Sequence, residues 1–216
     1  MIVKVCGMCN SENLAELIQL EVDWVGMIFY DASSRHVETD KFAAENLRLL
    51  KISDFGIKKV GVFVNATMEI ILQKVKSYNL NFIQLHGQET PEECQALQQN
   101  NLSIIKAFAI DKHFDFELLS TYAPYCDYFL FDTKGKLPGG NGVTFPWGLL
   151  SQYTLEVPFL LSGGIGMEQL AALKTFTHPQ LAGIDLNSRF ELSPGLKDVE
   201  KLKRFITDFR KKSPVT

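Results

Sequence analysis

The sequence predicts an α/β fold, a (β/α)8 barrel of parallel strands forming one domain over residues 1–216. Three observations predict it. Short apolar runs alternate with amphipathic stretches eight times within about 210 residues, the size of a compact eight-unit barrel. The runs are almost continuously apolar, as strands buried on both faces must be. The last two runs end in small or polar residues, Ser162-Gly163-Gly164 and Asn187-Ser188. Glycines after a strand let backbone N–H groups converge, and neighbouring amide and hydroxyl side chains complete an anion cradle. The glycine pair alone reads as a tight turn; with Asn187-Ser188 on the next strand it reads as the phosphate end of such a barrel. An open doubly wound sheet is the alternative, but its glycine fingerprint after the first strand is absent.

Each unit has its own signals. Ile2 to Cys6 is short and β-branched, a first strand, and Asn10 or Ser11 caps a helix carrying Leu14, Leu17 and Ile18. Trp24 to Phe29 is the second strand, with Phe42, Ala43, Leu47 and Leu50 marking its helix. Val60 to Val64 is the third, followed by a helix through Ile71, Val75 and Tyr78. Phe82 to Leu85 is the fourth, closed by His86-Gly87. Thr90-Pro91-Glu92-Glu93 then forms a capping box with proline at the first helical position. Ile104 to Phe108 is the fifth strand, with a helix expected over roughly 113–120. Tyr128 to Phe131 is the sixth, and its helix begins near Phe145 after a glycine-rich loop. Pro158 to Leu161 and Leu181 to Leu186 are the seventh and eighth. Met167, Leu170, Ala171 and Leu173 lie on the helix between them, and Val199, Leu202, Phe205, Ile206 and Phe209 stripe the last helix.

Composition narrows the function. Of 216 residues 46% are apolar, enough for one sizeable core. Net charge is −3 and the basic residues are scattered; those near the C-terminus read as a solvated helix face, so no nucleic-acid partner is expected. No apolar run is long enough to span a bilayer and no signal-peptide pattern opens the chain. Cys6, Cys9, Cys94 and Cys126 are unevenly spaced and read as reduced thiols of a cytoplasmic protein.

The barrel rule that active sites lie at the C-terminal strand ends sorts the polar residues. Cys6 ends strand one, Asp132 ends strand six and Asp185 is near the end of strand eight, whereas Asp127 begins strand six and reads as structural. Cys6-x-x-Cys9 admits a redox dithiol, a zinc half-site, a catalytic thiol or a small buried cysteine. The barrel pattern is foreign to a thioredoxin fold, and Cys94 and Cys126 do not make a second ligand pair. A thiol acting as base must be shifted down from about 8.5, and Asp132 acting as acid must be shifted up by burial. Strands one and six stand nearly opposite in the ring, so the two groups can work on different ends of one small substrate. Loop 133–144, with Gly135, Gly139, Gly140 and Gly142, reads as a lid or as a surface loop. Arg35, after strand two, reads as a surface arginine or as a bidentate carboxylate contact.

These residues together resemble the phosphoribosylanthranilate isomerases of tryptophan biosynthesis along the whole chain. The resemblance is carried by Lys4-Val5-Cys6-Gly7, Gln84-Leu85-His86-Gly87, Asp132-Thr133 with Gly139-Gly140-Asn141-Gly142, Leu161-Ser162-Gly163-Gly164, Gly183-Ile184-Asp185 with Ser188 and Glu191, and Pro194-Gly195 with Lys197-Asp198. It implies an Amadori rearrangement of N-(5-phosphoribosyl)anthranilate, a small phosphorylated substrate. Asp132 is implied as general acid and Cys6 as general base. Arg35, His86 and Asp185 are implied as substrate contacts, and Gly163, Gly164, Asn187 and Ser188 as the phosphate site. No metal or cofactor is implied, because the iminium is the electron sink; a monomer or homodimer is expected. The chain departs from the family pattern at Arg189, where a glycine is usual, and at Asn141 and Pro146. Other phosphate-binding barrel enzymes would keep the phosphate end with different acid–base groups. A catalytically silent sugar-phosphate binder would not need Cys6 and Asp132 together.

Overall fold

A computed structural model of the chain describes residues 1–37, 55–133 and 144–211. The helix expected through Phe42 to Leu50 and most of the glycine-rich loop after strand six lie outside the described residues. Eight parallel strands close into a barrel in sequence order: β1 (Ile2–Val5), β2 (Trp24–Ile28), β3 (Lys58–Phe63), β4 (Phe82–Leu85), β5 (Ile104–Ile110), β6 (Tyr128–Thr133), β7 (Phe159–Leu161) and β8 (Leu181–Leu186). The closing contact sets Lys4 of β1 beside Asp185 of β8. Packed around the ring are α1 (Ser11–Leu17), α2 (Met68–Tyr78), α3 (Pro91–Gln98), α4 (Leu119–Tyr122), α5 (Leu170–Thr175) and α6 (Val199–Arg210). No described helix is long and apolar enough to cross a membrane.

Local chemistry accounts for the helix starts. The side chains of Asn10, Thr67, Thr90 and Asp198 each accept a backbone N–H in the first turn of the helix they precede, and Thr90 and Glu93 complete the expected capping box. The expected helix at 113–120 is displaced and broken. The carboxylates of Asp111 and Asp115 accept the N–H groups of His113 and Glu117, so regular turns begin only at Phe116 and run as 3-10, α and 3-10 segments to Tyr125. Pro146 stands just before a 3-10 helix, Trp147–Gln152, where an α-helix was expected. A two-stranded hairpin, β9 (Glu191–Ser193) and β10 (Leu196–Lys197), follows β8 and was not foreseen.

The N-terminal end of the barrel repeats one device three times. Asp23, Asn81 and Asp127 each precede an even-numbered strand. The side chain of each accepts the N–H of Val3, Lys59 or Ile104 on the preceding strand at 2.7, 2.8 and 2.7 Å. The backbone N–H of the same residue returns a bond to that partner's carbonyl. Asp127 is therefore structural, as its position implied. The next residue in each case is aromatic and points inward. Trp24 stacks on Phe82 at 4.6 Å and meets Tyr128 edge-on at 5.1 Å, closing the floor of the lumen. Val60, Ile105, Leu130 and Leu160 pack above it. Because side chains alternate along a strand, the inward series continues upward through Lys4 to Cys6, Gln84 to His86 and Leu130 to Asp132. The lumen thus changes from apolar at the floor to polar at the mouth.

Candidate active site

At the C-terminal end of the strands lies a cavity of about 260 Å³. Cys6, Arg35, His86, Asp132, Gly163, Gly164, Asp185, Asn187 and Ser188 all line it, so every proposed site residue falls on one surface. Gln84, Ser162 and Arg189 line it as well.

Cys6 follows β1, with its thiol against Gly26 of β2: a Cβ added at Gly26 would lie 2.7 Å from the sulfur. One layer below, the fully buried Lys4 gives its ammonium to Asp185 at 2.9 Å. Burial works against that ammonium, yet Asp185 and the neighbouring thiol together hold its pKa above the ordinary lysine value. The thiol is raised rather than lowered, contrary to the expectation for a ready base. Burial pushes Cys6 up, Lys4 and Lys197 pull it back, and Asp185 adds to the rise. Cys9 does not share the site; its sulfur lies 3.6 Å from the carbonyl oxygen of Gly195 in the hairpin.

Asp132 stands at the end of β6 and is 8% exposed. Its Oδ1 accepts the N–H of Thr133 at 2.8 Å, and its Oδ2 lies 3.4 Å from His86 Nε2. The loop that carries His86 is pinned from below by the buried Lys106. Its ammonium bonds Glu89 at 3.0 Å and the carbonyl oxygens of Leu85 and Gly87. Gly163, at φ +87°, approaches the same strand end so closely that a Cβ would lie 2.3 Å from Thr133 Oγ1 and 2.7 Å from Asp132 Oδ1. Glycine is required there by conformation and by space. It joins the strand of Asp132 to the turn read as the phosphate end.

Arg35 is not a free surface cation. Glu191 accepts from its Nε at 2.9 Å and from its Nη2 at 2.7 Å. One edge of the guanidinium fork is therefore taken within the protein. The other edge, Nη1 with the second N–H of Nη2, is left for a bidentate contact to a ligand carboxylate. Glu191 also accepts from the buried Lys197 at 2.6 Å, and that ammonium reaches Asn187 Oδ1 at 2.7 Å. Burial would raise Glu191, but Arg35 and Lys197 bring it below the usual carboxylate value. Lys197 is fixed in turn by Asn13, whose side chain bonds both its carbonyl and its N–H. The side-chain oxygen of Asn187 is thus oriented by Lys197. Ser188 opens a 3-10 turn, Ser188–Phe190, at the cavity rim. Arg189 is half-exposed at that rim, 3.6 Å from Glu168.

Sequence reasoning missed Lys4, Lys197 and Gln84. Lys4 and Gln84 carried a usable signal: each sits two residues before an assigned site residue, on the same face of its strand. Lys197 carried only its place in the 194–198 motif, since its partners are brought to it by the hairpin.

Residues 3–208 match the family model described as N-(5'-phosphoribosyl)anthranilate (PRA) isomerase. The chain is 49% identical over 209 residues to the N-(5'-phosphoribosyl)anthranilate isomerase of Parabacteroides distasonis, covering 95% of this chain and 92% of that one. It is 43% identical over 213 residues to that of Phocaeicola vulgatus, covering 98% and 99%. Among solved structures, the phosphoribosyl anthranilate isomerase of Thermotoga maritima superposes with a TM-score of 0.81 at 29% identity, covering 97% of this chain and 99% of that one. The phosphoribosyl anthranilate isomerase solved with reduced 1-(o-carboxyphenylamino)-1-deoxyribulose 5-phosphate matches with a TM-score of 0.80 at 29% identity over 97% of this chain and 99% of that one. With this barrel, this cavity and these relatives, the chain belongs to the N-(5'-phosphoribosyl)anthranilate isomerase family and is an isomerase of tryptophan biosynthesis.

Proposed function

We propose that the chain converts N-(5-phosphoribosyl)anthranilate into 1-(2-carboxyphenylamino)-1-deoxyribulose 5-phosphate by general acid–base catalysis. The observation that carries this is the placement of Cys6 and Asp132 at the ends of β1 and β6, lining one cavity whose rim holds Gly163, Gly164, Asn187 and Ser188. Asp132 protonates the furanose oxygen, the C1–O bond breaks and the aryl nitrogen's lone pair forms a Schiff base. Cys6, as thiolate, removes the proton from C2, and the electrons of that C–H bond pass to the iminium to give the enolamine. Protonation at C1 and transfer of the C2 hydroxyl proton complete the ketone.

The raised thiol fits this order. Ring opening creates a cation in the cavity, which favours the thiolate just when a base is needed, and Lys4 beneath favours it throughout. Arg35 offers its remaining edge to the anthranilate carboxylate. Asp185, tied to Lys4, faces the reacting centre. The turn at Gly163-Gly164 and the start of the Ser188 turn offer backbone N–H groups to the phosphate, with Asn187 beside them. The relative solved with a reduced carboxyphenylamino-deoxyribulose phosphate supports a ligand of this chemistry. Four free thiols suit a reducing cytoplasmic compartment. Purified protein should consume phosphoribosylanthranilate in a fluorescence assay without added metal or cofactor; no loss of substrate above the uncatalysed rate would overturn the assignment.

A further inference from the structure

We propose that Gln84 is a further working residue of this site: its amide N–H fixes which nitrogen of His86 faces Asp132, and its amide oxygen receives a sugar hydroxyl of the substrate. The inference rests on the acid role given to Asp132.

Gln84 lies on β4, inward-facing and 1% exposed, one layer below His86. Its Nε2 is 2.8 Å from His86 Nδ1. An amide N–H donating to an imidazole nitrogen requires a lone pair there, so the ring proton sits on Nε2. That nitrogen is the one 3.4 Å from Asp132 Oδ2. A chain of donors, amide to imidazole to carboxyl, therefore orients the acid, and the Thr133 N–H holds its other oxygen. Were His86 in the other tautomer, two lone pairs would oppose each other at Asp132 whenever the carboxyl is ionised. Gln84 removes that arrangement.

The other end of the amide points to a ligand. Gln84 Oε1 is buried, belongs to a side chain lining the cavity, and has no hydrogen-bond partner among the described residues. A buried carbonyl without a donor is costly, and a bound group that supplies one recovers that cost. The phosphate and the anthranilate carboxylate are acceptors and cannot satisfy it. The donors on the substrate are its sugar hydroxyls and the aryl N–H. A position beneath His86, in the cavity that Asp132 also lines, places Oε1 against the sugar, where ring opening occurs. Gln84 is thus a positioning residue toward Asp132 and a contact residue toward the sugar.

The test joins a spectroscopic and a kinetic readout. Nitrogen-15 NMR of the wild-type protein, with the His86 signals identified by their loss in His86→Gln, should show the proton on Nε2. Gln84→Met keeps the length and removes both polar atoms. It should lose the single tautomer, lower kcat about tenfold and raise the KM for phosphoribosylanthranilate about tenfold, the scale of one lost hydrogen bond at each end. Its affinity for inorganic phosphate should stay at the wild-type value, which separates this effect from general damage. A proton on Nδ1 in the wild type overturns the positioning role whether or not Gln84→Met folds. An unchanged KM in a folded Gln84→Met overturns the sugar contact. If the wild type does not consume phosphoribosylanthranilate, the assigned reaction fails, while the tautomer measurement still decides what Gln84 does to His86.

Discussion

The base role proposed for Cys6 falls on a buried thiol raised by its surroundings, and the consequence can be measured. The thiolate is the reactive form, and burial holds Cys6 above the ordinary thiol value. The pH profile of kcat/KM reports the free enzyme. It should therefore keep rising on the alkaline side through an apparent pKa above about 8.5. A plateau reached well below that value would contradict the environment described for Cys6. Cys9 lies against the hairpin rather than in the cavity, so Cys9→Ser should change turnover less than about twofold, against the 10²–10⁴-fold typical of a lost acid or base. A large loss measured in the same assay would revive the dithiol reading. At this scale the sequence was informative where strand-end position alone decided the matter, as for Cys6, Asp132 and the glycine turn. It was silent where a partner lay far along the chain: Lys4 meets Asp185 and Arg35 meets Glu191 across 181 and 156 residues, and no local pattern encodes either pair.

Among the elements, the hairpin after β8 is the one that most shapes the site. It delivers Glu191 and Lys197, and these two fix Arg35 and Asn187 from behind. The folded pKa of Glu191 lies below its unfolded value. Its contribution to stability is therefore full above about pH 4.3 and is lost as pH falls through the folded pKa. Glu191→Gln leaves Lys197 buried without its carboxylate and should cost about 3 kcal/mol at pH 7. That difference, read from urea unfolding, should shrink as pH falls below the folded pKa; a deficit constant with pH would show that the charge is not what matters. The Asx latches form the opposite case. Asp127→Ala removes the side-chain acceptor for Ile104 N–H and should lower stability by about 1 kcal/mol. Turnover should be unchanged, because the latch lies at the floor; reduced turnover at intact stability would deny that division. The hairpin escaped sequence reading because three- and two-residue strands leave too short an alternation to detect. The helix expected at 113–120 failed because two aspartates turned the backbone before the apolar stripe could set a helix.

The whole molecule is divided along the barrel axis. Its floor is held by three repeated latches and an aromatic plug, its middle by apolar layers, and its mouth by charges that pair below the cavity surface and leave the reacting groups above. That polarity was legible because a parallel barrel puts every strand's C-terminal end on one face, so eight local readings became one surface. The proposal that rests on it is that Cys6 and Asp132, which line one cavity at that mouth, act together on one substrate. The most direct measurement is turnover of phosphoribosylanthranilate by Cys6→Ser and Asp132→Asn, followed by fluorescence beside the wild type, with melting temperatures recorded for all three. Each variant should remain folded and lose roughly 10²–10⁴-fold in kcat. A folded variant within about tenfold of the wild type, well short of that loss, would contradict the role given to the residue it replaces.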